Sequence, residues 1–168
     1  MTAPEAALAT GAANPAAIVG DFTVATRFGP IAGRWEDVIE MPQGPLGFTQ
    51  HRRFALLTVP NPKLTQFRLM QSLEDADLSF IVMPCPTESG PILKTDLADA
   101  CSAIGIPLDD LQLMLIVTVR TVGDMVELSA NLRAPVLMDT RRHVARQVVL
   151  ANPTYPVRQA IGSAQAAA

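Results

Sequence analysis

The chain has little of what most chemistry is built from. It holds two cysteines, Cys85 and Cys101, too few for a disulfide scaffold, and neither stands in a paired-thiol motif. Its two histidines, His51 and His143, lie far apart in sequence, with none of the close ligand pairs of zinc sites. No metal or other cofactor is expected. There is no G-x-S-x-G elbow, no G-x-x-x-x-G-K-[ST] loop and no G-x-G-x-x-G turn, so the usual signals for nucleophilic hydrolysis and nucleotide binding are missing. Apolar runs stop short of the roughly 20 residues a membrane-spanning helix requires. The longest, Leu113 to Val119, is strand-sized. A single Trp35 and a single Tyr155 leave few platforms on which bases could stack.

Charge is scarce as well: 17% of residues are charged and the formal net charge is −3. Nucleic-acid binding draws most of its affinity from concentrated Lys and Arg, so direct contact with RNA or DNA is not expected, and a basic protein partner fits better. The one basic cluster, Arg141, Arg142 and Arg146, reads as a solvated strand edge where charge deters aggregation. The N-terminal stretch MTAPEAALATGAANPAA has no basic start and is broken by Pro4, Glu5, Gly11 and Pro15, unlike a secretory leader. A cytoplasmic protein without a membrane segment is expected.

What is present is a core. At 168 residues and 49% hydrophobic, the chain suffices for one domain with one well-filled interior. The clearest local signal runs from Val117 to Pro135 (VTVRTVGDMVELSANLRAP). Leu115, Val117 and Val119 alternate with Ile116, Thr118 and Arg120, and Val126, Leu128, Ala130 and Leu132 with Glu127, Ser129, Asn131 and Arg133, a period of two that predicts two half-buried antiparallel strands. Gly123 and Asp124 are expected to supply the positive-φ residues of the turn, and Pro135 to end the ladder.

Around this hairpin the sequence predicts an alanine-rich arm over residues 1–20, a single domain over 21–158 and an alanine-rich tail over 159–168. Strands are predicted from Phe22, at Val38–Met41, Arg53–Val59, Phe67–Leu73, Phe80–Met83, Val136–Met138 and Val144–Leu150, with Tyr155–Arg158 closing the fold. Gln71 falls on the apolar side of its strand, where its amide must satisfy the backbone of a loop or a bulge or cost roughly 1 to 3 kcal/mol. The one helix is Thr95 to Ile104, because Leu97, Ala100, Cys101 and Ile104 make an apolar stripe. Thr95 is its expected N-cap and Gly105 its terminator, and the stripe makes Cys101 a core thiol. The fold class is therefore mainly β: a small antiparallel β-barrel-like domain, a pseudo-barrel or two packed sheets, with one short α-helix.

Carboxylates cluster at Glu74-Asp75-Ala76-Asp77 and at Asp109-Asp110, but such acidic turns are usually solvated and lack the shelter that general acid–base work needs. Gly44-Pro45-Leu46-Gly47-Phe48 is a tight loop presenting one aromatic, either a cap on the core or a partner contact. The competing class is a small β-barrel enzyme or ligand-binding protein with the barrel mouth as its pocket.

Several segments, in order, resemble the flagellar assembly factor FliW family. Gly44 to Phe48 is similar to its glycine, apolar, proline, glycine, phenylalanine loop, although here the proline precedes the leucine. Phe67 to Ser72 (FRLMQS) is similar to its FxxLQS strand, with Met70 replacing leucine, a change of similar volume. Phe80 to Pro84, Asn131 to Pro135 (NLRAP), Gln147 to Leu150 and Tyr155 to Arg158 (YPVR) continue the series. The resemblance implies a noncatalytic factor that binds flagellin near its C-terminal region before export, and that binds and antagonises the translational regulator CsrA, relieving repression of flagellin mRNA. It also implies partner switching between the two, by a protein expected to be monomeric when free. The residues expected to touch partners are the hairpin face Glu127, Ser129, Asn131 and Arg133, then the acidic turn Glu74, Asp75 and Asp77. Each also has a structural alternative: Asn131 pairing with loop backbone, the acids merely solvated. An open edge beside Pro135 is a further place for a partner strand.

Overall fold

A computed structural model describes residues 20–165. The arm expected over residues 1–20 lies outside them but for Gly20, as do residues 166–168 of the expected tail.

Twelve-residue β7 (Leu111–Val122) is the spine of the molecule. Its Ile81↔Val117 to Cys85↔Leu113 ladder joins it to β6 (Ser79–Cys85) on one edge. The other edge is shared. Residues Leu111 to Met114 pair with β9 (Val136–Asp139), and Val117 to Val122 pair with β8 (Met125–Ala130). From β6 the sheet continues through β5 (Arg68–Ser72), β4 (Arg53–Thr58), β3 (Val38–Glu40) and β10 (Val144–Gln147) to β9. Because β9 also pairs with β7, seven of the nine strands form a ring, and β8 with β11 (Gln159–Gln165) extends from it as a flap.

Alternation along these strands sorts the core into three layers. Ile39, Phe54, Leu56, Met70, Val82, Met114, Val136 and Ala145, with Met41, point into the ring, so every ring strand contributes to its filling. At about 1.5–3 kcal/mol per fully buried large side chain, this interior is a principal stabilising term. The alternate residues face outward and are also covered. Ala55, Leu57 and Leu69 pack under the hairpin of β1 (Phe22–Val24) and β2 (Ile31–Gly33). Leu113, Leu115, Val117, Leu137 and Ala130 pack under α1 (Lys94–Ile104) and the segment carrying Leu150 and Tyr155. A strand buried on both faces reads as a continuous apolar run, which is what Leu113 to Val117 shows.

The mainly β, barrel-like architecture, with one α-helix among the described residues, is as the sequence predicts, and details differ. The ring has one parallel junction, β3 with β10, through Val144↔Glu40 alone. There His143 adopts φ +57 and its carbonyl accepts the Glu40 N–H at 2.9 Å. In the hairpin turn only Gly123 has positive φ (+61), the pattern of a type II′ rather than a type I′ turn, so Asp124 needs no left-handed backbone. Strand β6 runs through Pro84, which pairs opposite Met114, instead of stopping before it. The helix starts at Lys94 with Leu93 as N-cap and no side-chain cap, so Thr95 lies inside it. Gly105, at φ +80, ends it as expected. The segment read as an alanine-rich tail is paired: Gln159 to Gln165 run antiparallel to β8, with a register shift between Ala160 and Gly162.

Candidate functional site

The motif segments build a network of loops at the margins of the ring, and each is fixed by side chains from another. Gln71, fully buried, donates from Nε2 toward the carbonyls of Ser72, Asp75, Ala76 and Leu78 at 3.1–3.3 Å, and the Ser72 hydroxyl accepts the Glu74 and Asp75 N–H groups. The glutamine and serine of FRLMQS therefore hold the acidic turn in shape; of the two backbones open to Gln71 it is the loop, not a bulge, that its amide satisfies. On that turn Glu74, Asp75 and Asp77 are exposed. Glu74 Oε1 accepts the Arg52 N–H at 2.7 Å, and Asp75 Oδ1 accepts the Asp77 N–H at 2.9 Å.

The Gly44–Phe48 loop is equally constrained. Gly44 has φ +65, and a Cβ there would lie 2.5 Å from the Phe48 carbonyl oxygen. The Phe48 N–H donates to the Pro45 carbonyl, and Gln147 Oε1 accepts the Leu46 N–H at 2.8 Å. This turn holds Leu46 half exposed and Phe48 at 40% exposure, the latter with its ring edge-on to Phe80 at 5.4 Å. Phe48 thus rests on the rim aromatic Phe80, as a cap on the core would, and stays partly exposed to solvent.

Residues 131–135 form the corner where the chain leaves β8 and enters β9 along the same edge of β7. Asn131 Oδ1 accepts the Arg133 and Ala134 N–H groups at 3.0 Å each. The carbonyls of Arg133, Ala134 and Pro135 accept from Leu150 N–H, Gln147 Nε2 and Val148 N–H. The Leu132 N–H donates to the Pro156 carbonyl. Next to it the Tyr155 hydroxyl donates to Asp96 Oδ2 at 2.6 Å and accepts the Leu93 N–H at 3.0 Å, tying this segment to the start of α1. Burial and that hydrogen bond to Asp96 push the Tyr155 pKa up.

A family model described as FliW protein matches residues 23–161. The chain belongs to the FliW family. Among relatives, the flagellar assembly factor FliW of Syntrophus aciditrophicus is 38% identical over 138 residues, covering 79% of this chain and 82% of that protein. The one of Geobacter sulfurreducens is 32% identical over 137 residues, covering 79% and 81%. A crystal structure of the flagellar assembly factor FliW matches with a TM-score of 0.65 at 27% identity, covering 83% of this chain and 96% of that one. The resemblance drawn from sequence is therefore real, and the FliW motifs are the joints of the fold described above.

The residues expected to touch partners separate into groups. Glu127 is exposed on β8 and Ser129 is half-buried beside β11. Asn131 and Arg133 lie past the end of β8, not on its face, and Asn131 is engaged within the corner. The acidic turn links β5 to β6, and two strands, β6 and β7, separate β5 from β8 in the sheet. The edge beside Pro135 is not open, since β9 pairs with β7 and β10, while β11 pairs along β8. The basic cluster is a turn more than a strand edge: Arg141 and Arg142 connect β9 to β10, near Asp110 (3.4 Å) and Asp139 (3.8 Å) respectively, and only Arg146 is on a strand.

Two residues that sequence reasoning passed over stand beside Glu127 and Ser129. Arg120 of β7 and Arg158, the last residue of YPVR, line the same hollow. For chemistry of other kinds the surroundings are poor. Burial pushes both cysteine thiols up, away from the reactive thiolate. Among the described residues no three of His, Cys, Asp and Glu converge as a metal set. No described helix is long and apolar enough to cross a membrane.

Proposed function

We propose that the protein is a noncatalytic assembly factor that binds flagellin before export, near its C-terminal region, and binds and antagonises CsrA, so relieving repression of flagellin mRNA. Flagellin and CsrA draw on one limited pool of this protein, and secretion of flagellin changes which complex dominates. The protein acts as a cytoplasmic monomer between encounters. Membership of the FliW family is the observation that carries this reading.

Three features support it. The interior of the ring is filled by its own side chains, Phe54, Met70 and Met114 among them, which favours a binding module over a protein with a deep polar pocket. The motif residues hold loops rigidly at the surface, which suits recognition with little ordering cost. The net charge of −3 suits antagonism of a basic RNA-binding protein, because negative charge brought near its RNA face disfavours phosphate. Glu74, Asp75 and Asp77 on the acidic turn and Glu127 on β8 are the exposed acids proposed for that contact, with Ser129 beside Glu127.

The test is a pull-down with purified flagellin and CsrA, together and separately. Each client should be retained alone, flagellin should displace CsrA, and RNA binding by CsrA should recover with salt. Indifference to both clients, or turnover of a small molecule, overturns the proposal.

A further inference from the structure

Arg120 and Arg158 meet in space although one lies on the spine strand and the other just before β11. With Glu127, Leu128, Ser129, Ala160 and Gly162 they line a hollow of about 360 Å³ on the flap formed by β7, β8 and β11. Neither guanidinium stands within 4.0 Å of a carboxylate among the described residues. Glu127 is directly across from Arg120 in the β7–β8 ladder, yet the two do not close into an ion pair. The other surface grooves differ. In the one beside β4, Arg68 donates to the Leu56 and Leu57 carbonyls and lies 3.8 Å from Asp37. In the one beside the end of α1, Arg146 is without a carboxylate within 4.0 Å among the described residues as well, but Arg142 stands by Asp139, which lines that groove.

We infer that this hollow binds an acidic, extended segment of a partner protein, its carboxylate held between Arg120 and Arg158. A planar guanidinium pairs with a carboxylate through two parallel hydrogen bonds, and two of them converging on one concavity give a local positive site on a chain of net charge −3. The outer edge of β11, the last strand of the sheet, carries unpaired backbone groups among the described residues, so an extended segment can align along it while one side chain reaches over Gly162. Gly162 leaves the way clear: a Cβ there would meet nothing within 4 Å. Glu127 lines the same hollow and opposes an incoming anion, which sets selectivity for carboxylates that approach from the Arg158 side.

This inference rests on the reading of the chain as a protein-binding factor, and the experiment separates the two. A fluorescent strand-forming peptide of alternating valine and threonine with two glutamates is titrated against the full chain, beside a counterpart carrying glutamine. The acidic peptide should bind at least about tenfold tighter, with the difference shrinking as salt rises. Arg120→Gln with Arg158→Gln should abolish the preference, Glu127→Gln should strengthen binding, and Gly162→Glu should block it by supplying a carboxylate in cis. Circular dichroism on the same samples establishes that each variant is folded. Equal binding of the two peptides, binding of neither, or a preference that survives the double substitution overturns the inference. If the wild type retains flagellin and CsrA while the acidic peptide fails, the hollow is dismissed and the proposed function stands. If the peptide binds and both clients fail, the reverse holds.

Discussion

Gln147 reaches Leu46 across 101 residues of sequence: its Oε1 accepts the Leu46 N–H at 2.8 Å while its Nε2 donates to the Ala134 carbonyl at 3.0 Å. One amide thereby joins the glycine-rich loop to the corner after β8, two segments that no strand pairing connects. Gln147→Ala removes both bonds and should destabilise the protein by about 1–2 kcal/mol. Denaturant titration measures that loss, and hydrogen exchange should show the Leu46 amide opening more than amides elsewhere in the ring.

Gly44 and Gly47 share the same loop and should respond differently to alanine. At Gly44 the new Cβ meets the Phe48 carbonyl oxygen at 2.5 Å and Thr49 Cα at 2.6 Å, with φ +65, so backbone must shift and more than about 2 kcal/mol should be lost. At Gly47, with φ +85 and open space around it, the left-handed backbone alone costs about 1 kcal/mol. Melting curves of the two variants give the comparison.

Replacing Gln71 by leucine keeps the volume and removes the donor that four carbonyls surround. The expected loss is about 2 kcal/mol, moderated because Gln71 Oε1 is itself buried without a partner. Limited proteolysis should find new cleavage between Glu74 and Asp77 in the variant.

Tyr155 makes stability sensitive to alkali. Burial, with the hydrogen bond to Asp96, raises its pKa above the ordinary value of 10.0. Below that value both folded and unfolded chains keep the proton and stability is full. As pH climbs past it the unfolded chain ionises first, so stability falls until the folded pKa is passed. Tyr155→Phe should cost about 2 kcal/mol at neutral pH through the lost bonds to Asp96 and Leu93, and should flatten this alkaline decline. Denaturant midpoints collected from pH 8 upward test both parts.

How much of this was legible in the residues depended on whether a feature is local. The hairpin follows from alternation on both sides of Gly123, the helix stripe from Leu97 and Cys101, and the burial of Gln71 from its place in an apolar row. The start of α1 did not follow, because Leu93 stands at the N-cap without a side-chain cap, and its N–H is met by the Tyr155 hydroxyl from 62 residues away. Strand β11 has no hydrophobic period, since Ala160, Gly162 and Ala164 are small; its pairing with β8 is a backbone matter, with Ile161 its one large apolar side chain. The parallel seam at Val144 depends on a left-handed His143, which nothing nearby announces. Arg120 and Arg158 were overlooked for the same reason as the seam: only the folded chain brings them to one place.

The pairing of β8 with Gln159 to Gln165 also fixes an order of events at the ribosome. Strand β8 ends at residue 130 and its covering partner begins at residue 159, so at about 5–20 residues per second the growing chain carries a bare sheet margin for roughly 1.5 to 6 seconds. During that interval the margin of β8 can take up a foreign strand. A chain stalled or cut just after Arg158 would keep that margin permanently.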